Sequence, residues 1–126
     1  MATQDDVRRI AARLPGAQEG DGRFGFSVLV KGKAKGFVWS WAERVDPKKG
    51  RVPNDAVLAV LVRNLDEKEM ILGSDTRKFF TESHYDGYPA VLVRLAEIEA
   101  DELEDLIVES WRCKATPELL TRLDEP

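Results

Sequence analysis

Between Arg23 and Trp41 apolar residues recur at every second position. Phe24, Phe26, Val28 and Val30 fall on one side of an extended chain, and Gly25, Ser27 and Lys31 fall on the other. Ala34 to Trp41 alternates again, with Phe37, Trp39 and Trp41 in phase. A period of two belongs to strands with one buried face, and Gly32-Lys33 between the runs reads as the tight turn of an antiparallel hairpin. Antiparallel strands with one polar face imply a sheet covered on one side only. The stripe at 37, 39 and 41 is therefore expected to share the core face of Phe24–Val30 and to lie against helices. The competing reading is an exposed aromatic platform on which nucleobases stack.

The rest of the chain supplies the covering elements. Thr3 opens a helix with Asp5 and Asp6 in its first turn; Val7, Ile10, Ala11 and Leu14 follow at helical spacing until Pro15-Gly16 stops it. Residues 17–22 read as loop, and Asp46 to Gly50 as a second turn. The continuous apolar run from Ala56 to Val62 reads as a central strand. Asp66 with Glu69, and Asp101 with Glu104, have the spacing of capping boxes for two further helices. Residues 74–89 have no clear period; Phe79-Phe80 is expected to pack on the sheet and His84 to Pro89 to form an ordered turn. Val91 to Leu95 is another strand. Leu103, Leu106, Ile107 and Trp111 form one helical stripe, and Thr116-Pro117 opens a final short helix. The expected fold is α+β: a two-layer sandwich whose antiparallel sheet packs against N- and C-terminal helices, as one domain over residues 1–126.

Composition narrows the class. With 126 residues, 43% of them hydrophobic, the chain can build a core without staples. One cysteine, Cys113, cannot form an intramolecular disulfide. The start MATQDDVRRI lacks the pattern of a signal peptide, and no run approaches the ~20 apolar residues needed to cross a bilayer. A cytoplasmic monomer without membrane association is expected.

Net charge is −4, but it is unevenly spread. Residues 31–51 carry Lys31, Lys33, Lys35, Arg44, Lys48, Lys49 and Arg51 against Glu43 and Asp46, a balance of +5. Residues 97–126 carry ten acids against Arg112, Lys114 and Arg122, a balance of −7. Such asymmetry can turn one face toward a polyanion.

The strings LPGAQEG (14–20) and HYDGYPAVLVRL (84–95), with the Asp101–Trp111 helix, are similar to the MmcQ/YjbR family, and the resemblance runs through nearly the whole chain. It implies a frataxin-like sandwich and a DNA-binding role through a "double wing" of β-hairpins, with no catalytic residues to carry over.

The chemistry available is narrow. His84 is the only histidine, so a Ser-His or Cys-His nucleophile would have to use it. Cys113 lies near a helix end, where the dipole disfavours a thiolate. One His and one Cys far apart do not make a zinc site, and the acids from Glu97 to Asp105 read as a solvated helix start rather than a metal ridge. No nucleotide-binding glycine motif is present, so no cofactor is expected. The function expected is non-catalytic, sequence-nonspecific binding of double-stranded DNA, with the seven cations of residues 31–51 on phosphates. The alternative is a protein–protein or small-ligand binding module whose lysines only protect strand edges.

Overall fold

The computed structural model describes residues 1–43, 46 and 48–123. Its centre is a six-stranded antiparallel sheet in the order β1-β2-β3-β4-β6-β5. The strands are β1 (Gln18–Glu19), β2 (Gly25–Val30), β3 (Lys33–Glu43), β4 (Val52–Leu61), β5 (Phe79–Phe80) and β6 (Ala90–Arg94). Helices α1 (Gln4–Ala11), α3 (Ala100–Lys114) and α4 (Pro117–Leu123) cover one face, and α2 (Leu65–Ser74) links β4 to β5. This is the α+β sandwich expected from the sequence.

Local chemistry explains the boundaries, with some corrections. Thr3 and Asp6 close a reciprocal capping box at α1. The cap of α2 is Asn64, whose side chain accepts the Glu67 N–H at 2.8 Å, not Asp66. The expected box at Asp101 and Glu104 is likewise absent: α3 begins at Ala100, and the Asp101 carboxylate accepts the Glu102 N–H. Thr116 caps α4 as expected, accepting from the Leu119 N–H. Within the expected loop at 17–22, Gln18 and Glu19 pair with Ser27 and Phe26. The hairpin turn is Lys31-Gly32, one residue earlier than expected. Both residues have positive φ, 53° and 80°, as a type I′ turn requires.

The decisive departure is in β3. Phe26 pairs with Val38 but Ser27 pairs with Gly36, so Phe37 is an extra residue in the ladder. A β-bulge of this kind reverses the phase of the strand beyond it. Phe37 and Val38 consequently both enter the helix-side core, as does Ser40, while Trp39 and Trp41 turn to the opposite, outer face. The expectation that Trp39 and Trp41 share the face of Phe37 is corrected. The Ser110 hydroxyl of α3, itself buried, donates to the Phe37 carbonyl at 2.7 Å and fixes the helix on the bulge.

The outer face is not bare. Val57, Ala59, Ala90, Leu92 and Tyr85 form a second buried cluster there, with Trp39, Trp41 and Phe80 packed against it. The sheet is therefore apolar on both faces at β4 and β6, which corrects the one-sided expectation and explains the unbroken apolar run of β4. The cover is the turn from Ser83 to Tyr88, anchored by Lys68 of α2. Lys68 is only 5% exposed, and its ammonium donates to the carbonyls of Tyr85 (2.7 Å) and Tyr88 (2.8 Å). Burial lowers its pKa, against the opposing pull of Asp86 and Glu69.

Two stability predictions follow from this packing. Trp111 is fully buried and its indole N–H donates to the Pro15 carbonyl at 3.0 Å. Trp111→Ala should cost about 3–5 kcal/mol in urea unfolding; a loss below about 1 kcal/mol would refute this packing. Lys68→Met removes two charge-assisted hydrogen bonds and should cost roughly 1–3 kcal/mol, with faster amide exchange across 83–88. Unchanged or increased stability would mean that burying the ammonium outweighs the anchor it provides.

Candidate functional site

The outer face carries a row of rings that the bulge and the Ser83–Tyr88 turn bring together. The Trp39 indole N–H donates to the Tyr85 hydroxyl at 3.0 Å. Tyr88 lies edge-on to both Trp39 (6.4 Å) and Tyr85 (6.2 Å), and His84 meets Tyr85 at 5.5 Å. Farther along, Trp41 donates to Glu82 at 3.4 Å and meets Phe80 edge-on at 5.5 Å, and the Arg94 guanidinium lies 4.1 Å over Phe80. Between Trp39 and the turn is an open cleft of about 440 Å³, lined by Arg23, Trp39, His84, Tyr85, Asp86, Gly87 and Tyr88. A shallower trough of about 290 Å³ adjoins it, sharing Arg23 and Trp39 and running over Gly20, Gly25, Ser27 and Gly36. Gly25 is required by close approach: a Cβ there would stand 2.9 Å from the Val38 carbonyl oxygen. Arg23 is exposed and has no ion-pair partner among the described residues.

The cations singled out in the sequence do not form one face. Lys31, Lys33 and Lys35 cluster at the hairpin tip, exposed and without an ion pair among the described residues. Lys48, Lys49 and Arg51 follow the other end of β3; Lys35 lies eight residues before that end at Glu43, on the order of 26 Å away. Lys48 and Lys49 are exposed. Arg51 is not a free cation: its guanidinium donates to the Ala42 carbonyl at 2.9 Å and pairs with Glu82 at 3.4 Å. Arg44 lies outside the described residues.

The tip is also mechanically distinct. The ladder of β3 with β4 begins at Val38, and β1 pairs only as far as Ser27. Residues 28–35 therefore pair only with each other and leave both edges open, with Val28 and Val30 still packed on the helix-side core and the exposed tip at 31–35 extending past it. Arg23, Tyr85, Tyr88 and Lys68 were not among the residues the sequence singled out as a site, and Trp39 entered only through the competing reading of an exposed aromatic platform. Gly36 before the adjacent apolar pair Phe37-Val38 is the signal that could have found them, because a strand glycine often marks a bulge.

The nucleophilic arrangement that sequence permits is not assembled. His84 sits on the outer face, whereas Cys113 is on α3 in the helix layer. Burial and, next, Glu67 raise the Cys113 thiol pKa, away from the reactive thiolate. Among the described residues no group of three or more His, Cys, Asp or Glu is placed to hold a metal, and no helix is long and apolar enough to cross a membrane.

No family model matches the chain. The fold is similar to that of Deinococcus radiodurans protein DR2400, a DUF419-domain protein solved by crystallography, with a TM-score of 0.69 over 100% of this chain and 91% of that one at 19% identity. In sequence, the chain is 37% identical over 123 residues to the uncharacterized proteins Rv2570 of Mycobacterium tuberculosis and Mb2600 of Mycobacterium bovis. The match covers 95% of this chain and 94% of each relative. At that identity, over nearly the full length of both, the chain belongs to the family of these mycobacterial proteins.

Proposed function

We propose that the protein binds DNA without catalysis and without strong sequence preference, through phosphate contacts made by the projecting β2–β3 ribbon. The observation that carries this reading is the ribbon tip: three exposed lysines within five residues, unpaired with any acid among the described residues, one on the type I′ turn and two on the strand that leaves it. A two-stranded ribbon is narrow enough to approach a groove of duplex DNA, and lysines on a turn reach phosphates more readily than base edges. The strings at 14–20 and 84–95, similar to the MmcQ/YjbR family and its proposed hairpin wings, support the same role. Of the seven cations first considered, the three at the tip carry the proposal; Arg51 is engaged within the fold, and Lys48 and Lys49 lie at the far end of β3.

The open edges of the ribbon favour a second reading, in which the lysines only prevent edge-to-edge pairing. Anisotropy of a labelled duplex separates the two. Wild-type protein should bind at low salt with affinity no tighter than about micromolar near physiological salt, and log K should fall against log salt with a slope of about −2 to −3. Lys31→Gln with Lys33→Glu and Lys35→Glu should abolish binding with little change in melting temperature, since exposed charges contribute little to stability. Lys48→Glu should bind as the wild type does. If wild-type protein does not bind at low salt, or the ribbon variant binds equally well, the edge-protection reading stands.

A further inference from the structure

We infer that the groove between α2 and α3 docks an amphipathic helix of a partner protein. The apolar stripe of that helix covers Met70 and Leu106, and its lysines or arginines meet the carboxylates along the groove. The site belongs to the helix layer and does not depend on what the ribbon binds.

Ile71 of α2 and Leu106 of α3 both pack against the helix-side core, and a trough of about 410 Å³ lies between the two helices. Buried Phe79 of β5 forms its floor. Met70 is 71% exposed, and with Ile71, Leu106 and Phe79 it makes one continuous apolar lining rather than a lone surface residue. A flexible thioether in such a place adapts to an incoming side chain, as methionines do at protein-binding surfaces. On α3 the groove stripe of Glu102, Asp105, Leu106 and Glu109 has helical spacing. It is separate from the stripe of Leu103, Ile107 and Trp111 that α3 buries in the core.

Charge selects a cationic partner. Glu67, Glu102, Asp105 and Glu109 line the groove against Arg63 alone. Arg63 pairs with Glu67, and two cations from outside the lining, Lys78 and Arg112, pair with Glu102 and Glu109. Lys78 is itself shared with Asp75 at 3.9 Å. Asp105 is exposed and has no ion pair among the described residues. The Arg112–Glu109 pair, at 3.6 Å and largely in solvent, is weak enough for an incoming cation to replace. Glu102 to Glu109 spans about 10 Å of the α3 axis. A small organic cation would meet one of these carboxylates. A helix laid along α3, with basic residues at i, i+3 or i+4, and i+7, meets all three while its apolar stripe covers Met70 and Leu106.

Titration of the isotope-labelled protein with a synthetic amphipathic peptide, leucines on one face and lysines flanking them, tests the inference. The peptide should bind in the micromolar range at low salt and move amide signals of α2 and α3 but not those of the ribbon. A peptide of the same composition with its leucines dispersed around the helix should bind at least about tenfold more weakly. Met70→Ala and Asp105→Lys, both at exposed positions, should each weaken binding of the amphipathic peptide about fivefold or more. Equal binding of the two peptides, or no effect of Met70→Ala, reduces the contact to attraction between opposite charges and overturns the inference. Failure of the amphipathic peptide to bind overturns it as well. Hexylammonium that fills the groove as tightly as the peptide identifies a small cationic ligand and overturns the helix. Dimers of the protein alone in sedimentation, lost both in Asp105→Lys and in the ribbon variant, identify the lysine tip of a second copy as the occupant and overturn the partner protein.

Discussion

The extra residue at Phe37 is the constraint on which the rest of the structure depends. One inserted position in β3 reverses the phase of everything after it, because side chains on a strand alternate with a period of two. Phe37 and Val38 are driven together into the helix layer, where Ser110 takes the Phe37 carbonyl. Ser40 is carried inside with its hydroxyl buried and without a hydrogen-bond partner among the described residues. Two tryptophans are carried out. A core optimised only for stability would do the reverse, since a buried unsatisfied hydroxyl costs roughly 1–3 kcal/mol and a buried indole is strongly favourable. Departures from local consistency of this kind concentrate at functional sites, which is the physical reason to take the outer face as the candidate site.

From that constraint the second layer of the site follows. The outer face of β4 and β6 is apolar and needs a cover, and the Ser83–Tyr88 turn supplies it without closing over Trp39. Lys68 secures the turn by its backbone carbonyls, and the Tyr85 hydroxyl accepts the Trp39 indole N–H above it. Ribbon tip, glycine trough and aromatic cleft then succeed one another along β3. The acids of the C-terminal third are concentrated on α3, in the helix layer behind the sheet, with Glu102 paired to Lys78 and Glu104 to Arg13. The charge asymmetry of the sequence thus separates, in space, an acidic helix layer from the basic ribbon.

Much of the architecture was legible in the residues. Alternation located β2 and β3, the unbroken apolar run located β4, and helical spacing located α1 and α3 with Trp111 in the core. The helix starts were less legible, because Asn64 and Asp66, or Ala100 and Asp101, are almost equally good local candidates and tertiary packing chooses between them. The exposed lysines of the hairpin tip were legible in the residues, but the outward turn of the aromatics was not. In letters, Phe37, Trp39 and Trp41 continue one alternating stripe, and only the ladder with β2 shows that a residue has been inserted. Nor could spacing alone reveal that Arg51 is occupied by Ala42 and Glu82, or that β3 is long enough to hold the two basic groups apart.

The claim that the bulge turns the tryptophans away from the helices can be tested most directly by nuclear Overhauser contacts in the folded protein. The Trp39 ring should show contacts to the rings of Tyr85 and Tyr88 and none to Leu103 or Ile107, while the Phe37 ring shows contacts to the apolar face of α3. Contacts from Trp39 or Trp41 to Leu103, Ile107 or Trp111 would restore an unbroken strand and contradict the outer-face site.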